Sequence, residues 1–165
     1  MFIIDQFANC PNYKAEDLLY SFANFSFVRN GSATVINGVE IVSRDLIDPI
    51  TLIFRIEKCK DKSNPDTCEY FGTWKWEDFC RTYQILPFTK DFHRAHTPPI
   101  LCPIQKNHYV VTNAVVNPED ILMYLTRSGT RVLWKFRVRM MERDRPIPIS
   151  CVLIEFRVID RKIRQ

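Results

Sequence analysis

Six cysteines, at positions 10, 59, 68, 80, 102 and 151, are the residues best suited to covalent chemistry. None stands in C-x-x-C spacing, and His93, His96 and His108 do not complete a Cys/His metal pattern, so neither a redox dithiol nor a structural zinc site is expected. An even count spread along the chain reads as three disulfides, which would leave no thiolate for a Cys/His nucleophile. No serine sits in a G-x-S-x-G elbow. Glu77-Asp78 and Glu119-Asp120 stand where helices would begin, and the His93-x-x-His96 pair is expected at the surface. No nucleophile, base and orienting group can be assembled from these parts, so the expectation is a non-enzyme without metal or cofactor.

Disulfides imply an oxidising compartment, and the sequons Asn24-Phe25-Ser26 and Asn30-Gly31-Ser32 would accept N-glycans there. A secreted protein is expected, starting as a mature chain, because Met1-Phe2-Ile3-Ile4 is followed at once by Asp5 and not by a longer apolar run. With four glycines the chain has neither a G-x-G-x-x-G nor a Walker-type loop, which argues against common nucleotide enzymes. The net charge of +4 is a weak bias. Basic residues gather at Arg131, Lys135, Arg137, Arg139, Arg143 and Arg145 and again at Arg157, Arg161, Lys162 and Arg164. Glu142, Asp144, Glu155 and Asp160 interrupt both groups, which suits outer strand positions and speaks against a nucleic-acid groove. Such a face could still meet a membrane surface or a receptor.

Alternation at a period of two is the dominant pattern, and it sets the elements that must position any site. Val132, Trp134, Phe136, Val138 and Met140 alternate with Leu133, Lys135, Arg137 and Arg139. Val152, Ile154, Phe156 and Val158 alternate with Leu153, Glu155 and Arg157, and the polar, proline-bearing stretch 141–148 between the two runs predicts an antiparallel hairpin. Thr51 to Lys58 repeats the pattern with Leu52, Phe54 and Ile56. Leu19 to Val28 is a further strand, expected to turn Asn24 outward and Ala23, Phe25 and Phe27 inward. Ala33 to Val42 is a hairpin or a bulged strand, because Asn37-Gly38 is a turn signal. His108 to Val116 is strand-like. Short helices are expected from Asn117-Pro118 to Gly129 and from Trp76 to Ile85. Seven or eight strands in 165 residues, with no linker or repeat, describe one all-β domain: a two-sheet β-sandwich or open β-cup.

One connection carries unusual apolar loading. Tyr70-Phe71-Gly72-Thr73-Trp74-Lys75-Trp76 leads to Phe79, Tyr83, Phe88 and Phe92, with Pro87, Pro98 and Pro99 behind it. Apolar side chains on a long connection need burial or a ligand. A sandwich splayed at one end leaves inward rings unable to meet, and an apolar molecule fills that space. The inward candidates are Phe25, Phe27, Phe54, Ile56, Trp134, Phe136, Val138, Ile154 and Phe156. The rim candidates are Phe71, Trp74, Phe88 and Phe92.

The run Cys102-Pro103-Ile104-Gln105-Lys106-Asn107-His108-Tyr109, followed by a valine-rich strand and by Ser128-Gly129 before a strong strand, resembles the ML lipid-recognition superfamily. It is most similar to the ganglioside-activator-like branch, in particular the insect chemosensory protein B group. The resemblance implies a β-cup with an apolar cavity that carries and presents a lipid or other apolar molecule, possible semiochemicals included, to a receptor, membrane or enzyme, without a cofactor. It also implies the pairing Cys10–Cys151, Cys59–Cys68 and Cys80–Cys102, one of the fifteen that six cysteines allow. The ganglioside activator has a fourth bridge inside the aromatic loop. This sequence lacks it, so ganglioside specificity does not carry over. The rival expectation is an extracellular interaction module or receptor accessory protein with no internal ligand.

Overall fold

The computed structural model describes residues 2–31, 33–60, 64–83, 93–116 and 132–158. Among them lie nine strands: β1 (Phe2–Asn9), β2 (Tyr20–Asn30), β3 (Ala33–Val42), β4 (Ile50–Cys59), β5 (Cys68–Trp76), β6 (His96–Thr97), β7 (Asn107–Val116), β8 (Leu133–Glu142) and β9 (Ser150–Val158). They make two antiparallel sheets, one in the order β1-β9-β8-β4-β5 and the other β2-β3-β7-β6. Pairing follows the alternation of the sequence. Phe136 lies opposite both Ile56 and Ile154, and Val138 lies opposite both Phe54 and Val152, so the apolar sets of β4, β8 and β9 share one face. That face turns toward the second sheet and buries its polar-free side, as a sandwich requires.

Bulges adjust this register in ways the pattern does not announce. Asn24 in β2 and Asn113 in β7 both adopt left-handed φ, 54° and 53°, where one extra residue is accommodated opposite β3. Asn37-Gly38 is therefore no turn, and β3 runs unbroken between the two bulges. Gly38 serves close approach instead: a Cβ there would lie 2.5 Å from the Phe25 ring. Asn37 accepts the Asn113 backbone N–H through Oδ1 at 2.8 Å. The β2 bulge also resets side-chain parity. Ala23 pairs with the outward Val39 and faces out, contrary to expectation, while Phe22, Phe25 and Phe27 are half-buried and gather around Phe7.

The helix expected over Trp76 to Ile85 is a single turn, α1 (Phe79–Tyr83). Trp76 instead ends β5 opposite Leu52. Asp78 then takes φ of 58°, and its carboxylate accepts the Arg81 N–H at 3.2 Å, which starts the turn late. The end of that expected helix and the whole of the one after Asn117 lie outside the described residues.

The sheets are joined differently at their margins. Beside β1 and β2, the Asn9 side chain donates to Phe22 O at 3.1 Å and accepts from Phe22 N at 3.2 Å, satisfying β2 backbone across the gap between sheets. Cys10 is bonded to Cys151, Cys59 to Cys68 and Cys80 to Cys102. At one end of the sandwich Arg44 holds Glu142 through two bonds of 3.0 and 2.5 Å, and the Ile47 N–H adds a third at 2.9 Å.

Candidate functional site

The inner face of the five-stranded sheet falls into rows that run across β5, β4 and β8. Leu52 and Met140 are buried in one row, and Ile56 and Phe136 in another. The row between them, Trp74–Phe54–Val138, is only half-buried although β4 and β8 are interior strands. Ile154, beside Phe136 on β9, is half-buried too. Protein interiors pack densely, and inward residues on central strands normally lose all contact with solvent. At the level of Phe54 and Val138 they do not.

These facts sort the expected wall residues. Trp134 at 2% exposure, Ile56, Phe136 and Phe156 form a buried cluster and act as core. Phe54, Trp74, Val138 and Ile154 pack against that cluster with surface still accessible. Phe25 and Phe27 belong to a third cluster around Ile36, Val111 and Ala114. Phe71 is exposed at a bulge in β5 and meets the Trp134 ring edge-on, centroids 5.0 Å apart. Phe88 and Phe92 lie outside the described residues. Asn24 and Asn30 are both exposed on β2. Sequence reasoning missed Phe7 and Phe22, which close the β1–β2 margin, and Trp76 and Phe79, which join the partly buried rim. Phe54 and Trp76 lie 4.5 Å apart between ring centroids.

It also missed a polar group inside. Glu40 is 1% exposed on the inner face of β3, and His96 on β6 is buried as well, not at the surface as expected. The pair His93/His96 is thus split: His96 Nε2 lies 3.2 Å from Glu40 Oε2, while His93 Nδ1 lies 3.0 Å from the Tyr83 hydroxyl. Tyr20 donates its hydroxyl to the same Glu40 Oε2. Burial and the neighbouring Glu40 charge push the Tyr20 phenol well above its ordinary pKa, and the same two causes push up that of Tyr83. Burial, with the charge of His96, lowers that of His93. The signal for Glu40 was present in the alternation Thr34, Ile36, Gly38, Glu40, Val42. It was masked because Val35, Val39 and Ile41 make the opposite face apolar as well.

Among the described residues no group of three or more His, Cys, Asp or Glu could hold a metal ion. An open depression lined by Ile41, Ser43, Lys106, Asn107 and His108 lies at the outer end of β3 and β7, apart from the inner rows. On the outer face of the five-stranded sheet, Arg137 stands directly opposite Arg55. Lys135 is matched by Glu155 at 3.0 Å and Arg157 by Asp5 at 2.6 Å. No protein-family model matches this chain, and no curated protein matches it at a significant level.

Proposed function

We propose that this chain is an extracellular carrier that takes a lipid or other apolar small molecule between its sheets, in the manner of the ML lipid-recognition proteins, and presents it to a receptor, membrane or enzyme. The observation that carries the reading is the half-buried row Trp74–Phe54–Val138 between two buried rows. Apolar surface left accessible inside a sandwich is stabilised by an apolar guest. Each methylene removed from water contributes about 0.8 kcal/mol, so a chain of about a dozen carbons gains on the order of 10 kcal/mol before ordering costs. The three disulfides are compatible with an extracellular site, and among the described residues no helix is long and apolar enough to cross a membrane. The pairing of the cysteines, as the resemblance implied it, supports the family reading.

The test is titration with the neutral fluorescent probe N-phenyl-1-naphthylamine. Saturable, blue-shifted emission is expected from the native protein, and at least a tenfold weaker affinity from Val138→Arg with an unchanged circular dichroism spectrum. Undiminished uptake by the folded variant would remove Val138 from the wall. Val138 is the better choice over Trp134 or Phe136, where a charge would test folding.

A second reading, as an interaction module, is favoured by Arg137 facing Arg55 across neighbouring strands. Like charges directly opposed destabilise a sheet; Glu57 holds Arg55 at 3.0 Å, and the exposed Arg137 is placed to meet an anionic partner. Arg137→Glu should raise stability slightly in isolation. If it abolishes a receptor or sensory response while probe uptake persists, the outer face acts as well.

A further inference from the structure

The two outer faces of the sandwich differ in charge. Outward positions of the five-stranded sheet carry Arg55, Lys135, Arg137, Arg139 and Arg157. Among the described residues, the outward positions of β2, β3, β7 and β6 carry no Asp, Glu, Lys or Arg. Val28, Val35 and Val115 stand in one row across the strands, and Val39, Val110 and Thr97 in another, with the uncharged pair Ser26–Asn37 between the rows. Val28 is 56% exposed, Val110 45% and Val115 38%, so these valines meet solvent on a single face. Single exposed apolar residues are ordinary, whereas several on an uncharged face call for a cover. β2 is moreover an edge strand of 11 residues, and an open edge is a template for pairing with another chain. Both sequons of the chain, at Asn24 and Asn30, fall on this one strand. Asn30 pairs with Ala33, the next outward pair along from Val28–Val35. Asn24 is exposed at the β2 bulge, beside the Ala23 that pairs with Val39.

We infer that an N-linked glycan on Asn30, with Asn24 as a second acceptor, covers this face and keeps the chain monomeric. The inference rests on the extracellular half of the proposed function and is independent of the internal ligand. In the transfer, Asn30 Nδ2 attacks the anomeric carbon of a lipid-linked oligosaccharyl pyrophosphate. The N–C bond forms as the C–O bond to pyrophosphate breaks, the amide proton passes to solvent, and the lipid pyrophosphate leaves. A saccharide suits the mixed surface: its C–H faces meet the valines and its hydroxyls meet Ser26 and Asn37, while its bulk keeps solubility where the sheet has no charge. A second copy laid on the same face would have to enclose Asn24 and Asn30, and a glycan at either blocks it.

The protein secreted from eukaryotic cells tests this, by intact mass before and after peptide-N-glycosidase F, peptide mapping of the released site, and sedimentation velocity. A mass excess that the enzyme removes, mapped to Asn30, on a monomer is the expected result. Asn24→Gln/Asn30→Gln, with an unchanged circular dichroism spectrum, should self-associate with a dissociation constant at least about tenfold lower than that of the native protein. Adding Val28→Lys/Val110→Lys to that variant charges the bare face at two exposed positions and should restore the monomer. If Asn24→Gln/Asn30→Gln does not fold, trimming the native glycans to one sugar with endoglycosidase H on the folded protein should give the same association. A bare Asn30 on the secreted protein would overturn the inference, and so would a glycan-free variant that stays as monomeric as the native protein. Association that survives the two lysines would place the sticky surface elsewhere and overturn it equally. Absence of N-phenyl-1-naphthylamine uptake would remove the carrier and leave this inference standing, whereas failure of the chain to be exported would remove the extracellular reading and the glycan with it.

Discussion

At Gly38 a methyl group would sit 2.5 Å from the Phe25 ring, which also stacks on Phe7 with centroids 4.6 Å apart. The ring would have to shift against Phe7 and Phe22, so Gly38→Ala should cost about 1–3 kcal/mol as overpacking, read as a lower melting temperature. Glu142 gives a pH-dependent case. Burial works to raise its pKa, but the Arg44 guanidinium, the Ile47 N–H and the charges of Arg44 and Arg145 bring it below the ordinary glutamate value. A group lowered on folding supplies its full stability above the unfolded pKa and loses it as pH falls through the folded one. Glu142→Gln should therefore cost about 1–3 kcal/mol near neutral pH, and that difference should shrink as both proteins are unfolded in urea at pH values falling below 4. Residues of this kind were poorly legible. Glu142 and Arg44 are 98 positions apart, and nothing local pairs them. Glu40 and His96 look like ordinary surface residues until β3 and β6 are placed in one sheet with their inner faces toward the core.

Strands β4, β8 and β9 were legible because polar and apolar residues contrast on their two faces, and β7 because it is rich in β-branched residues. Where both faces are apolar, as in β3, the alternation gives no direction and Asn37-Gly38 could be read as a turn. Trp76 was drawn into a helix because Glu77 and Asp78 resemble a first turn, whereas its partner across the sheet, Leu52, decides its place. Bulges at Asp5, Asn24, Phe71 and Asn113 leave no mark in a pattern of period two, and each resets the parity beyond it. The disulfides act at this scale too. Cys10–Cys151 ties the end of β1 to β9 across 141 positions, and Cys59–Cys68 closes only nine. Removing the first by paired Ser substitutions should cost roughly 2–5 kcal/mol, and removing the second about 2 kcal/mol less, since loop entropy grows with the logarithm of length. Urea unfolding of both double variants checks the order. Equal losses would point to strain or residual unfolded-state structure outweighing loop length.

As a whole molecule this is a sandwich fastened along β1 and β2 by Asn9 and by the rings around Phe7, with a single helical turn leaving β5 at the other margin. The fold class could be read from alternation alone. What the sequence could not apportion was which inward residues are fully buried and which keep accessible surface, because that depends on contacts with the opposite sheet and its connections. Trp134 and Phe136 meet neighbours on every side, while Phe54 and Val138, one row away, keep accessible surface. Whether an apolar molecule occupies that level separates a carrier from an interaction module without an internal ligand. Native mass spectrometry of the protein secreted from eukaryotic cells and incubated with 1-dodecanol tests it most directly. A one-to-one adduct that vanishes on solvent extraction, and that folded Val138→Arg does not form, is the predicted result. A bare mass at saturating alcohol, together with no uptake of N-phenyl-1-naphthylamine, would contradict it.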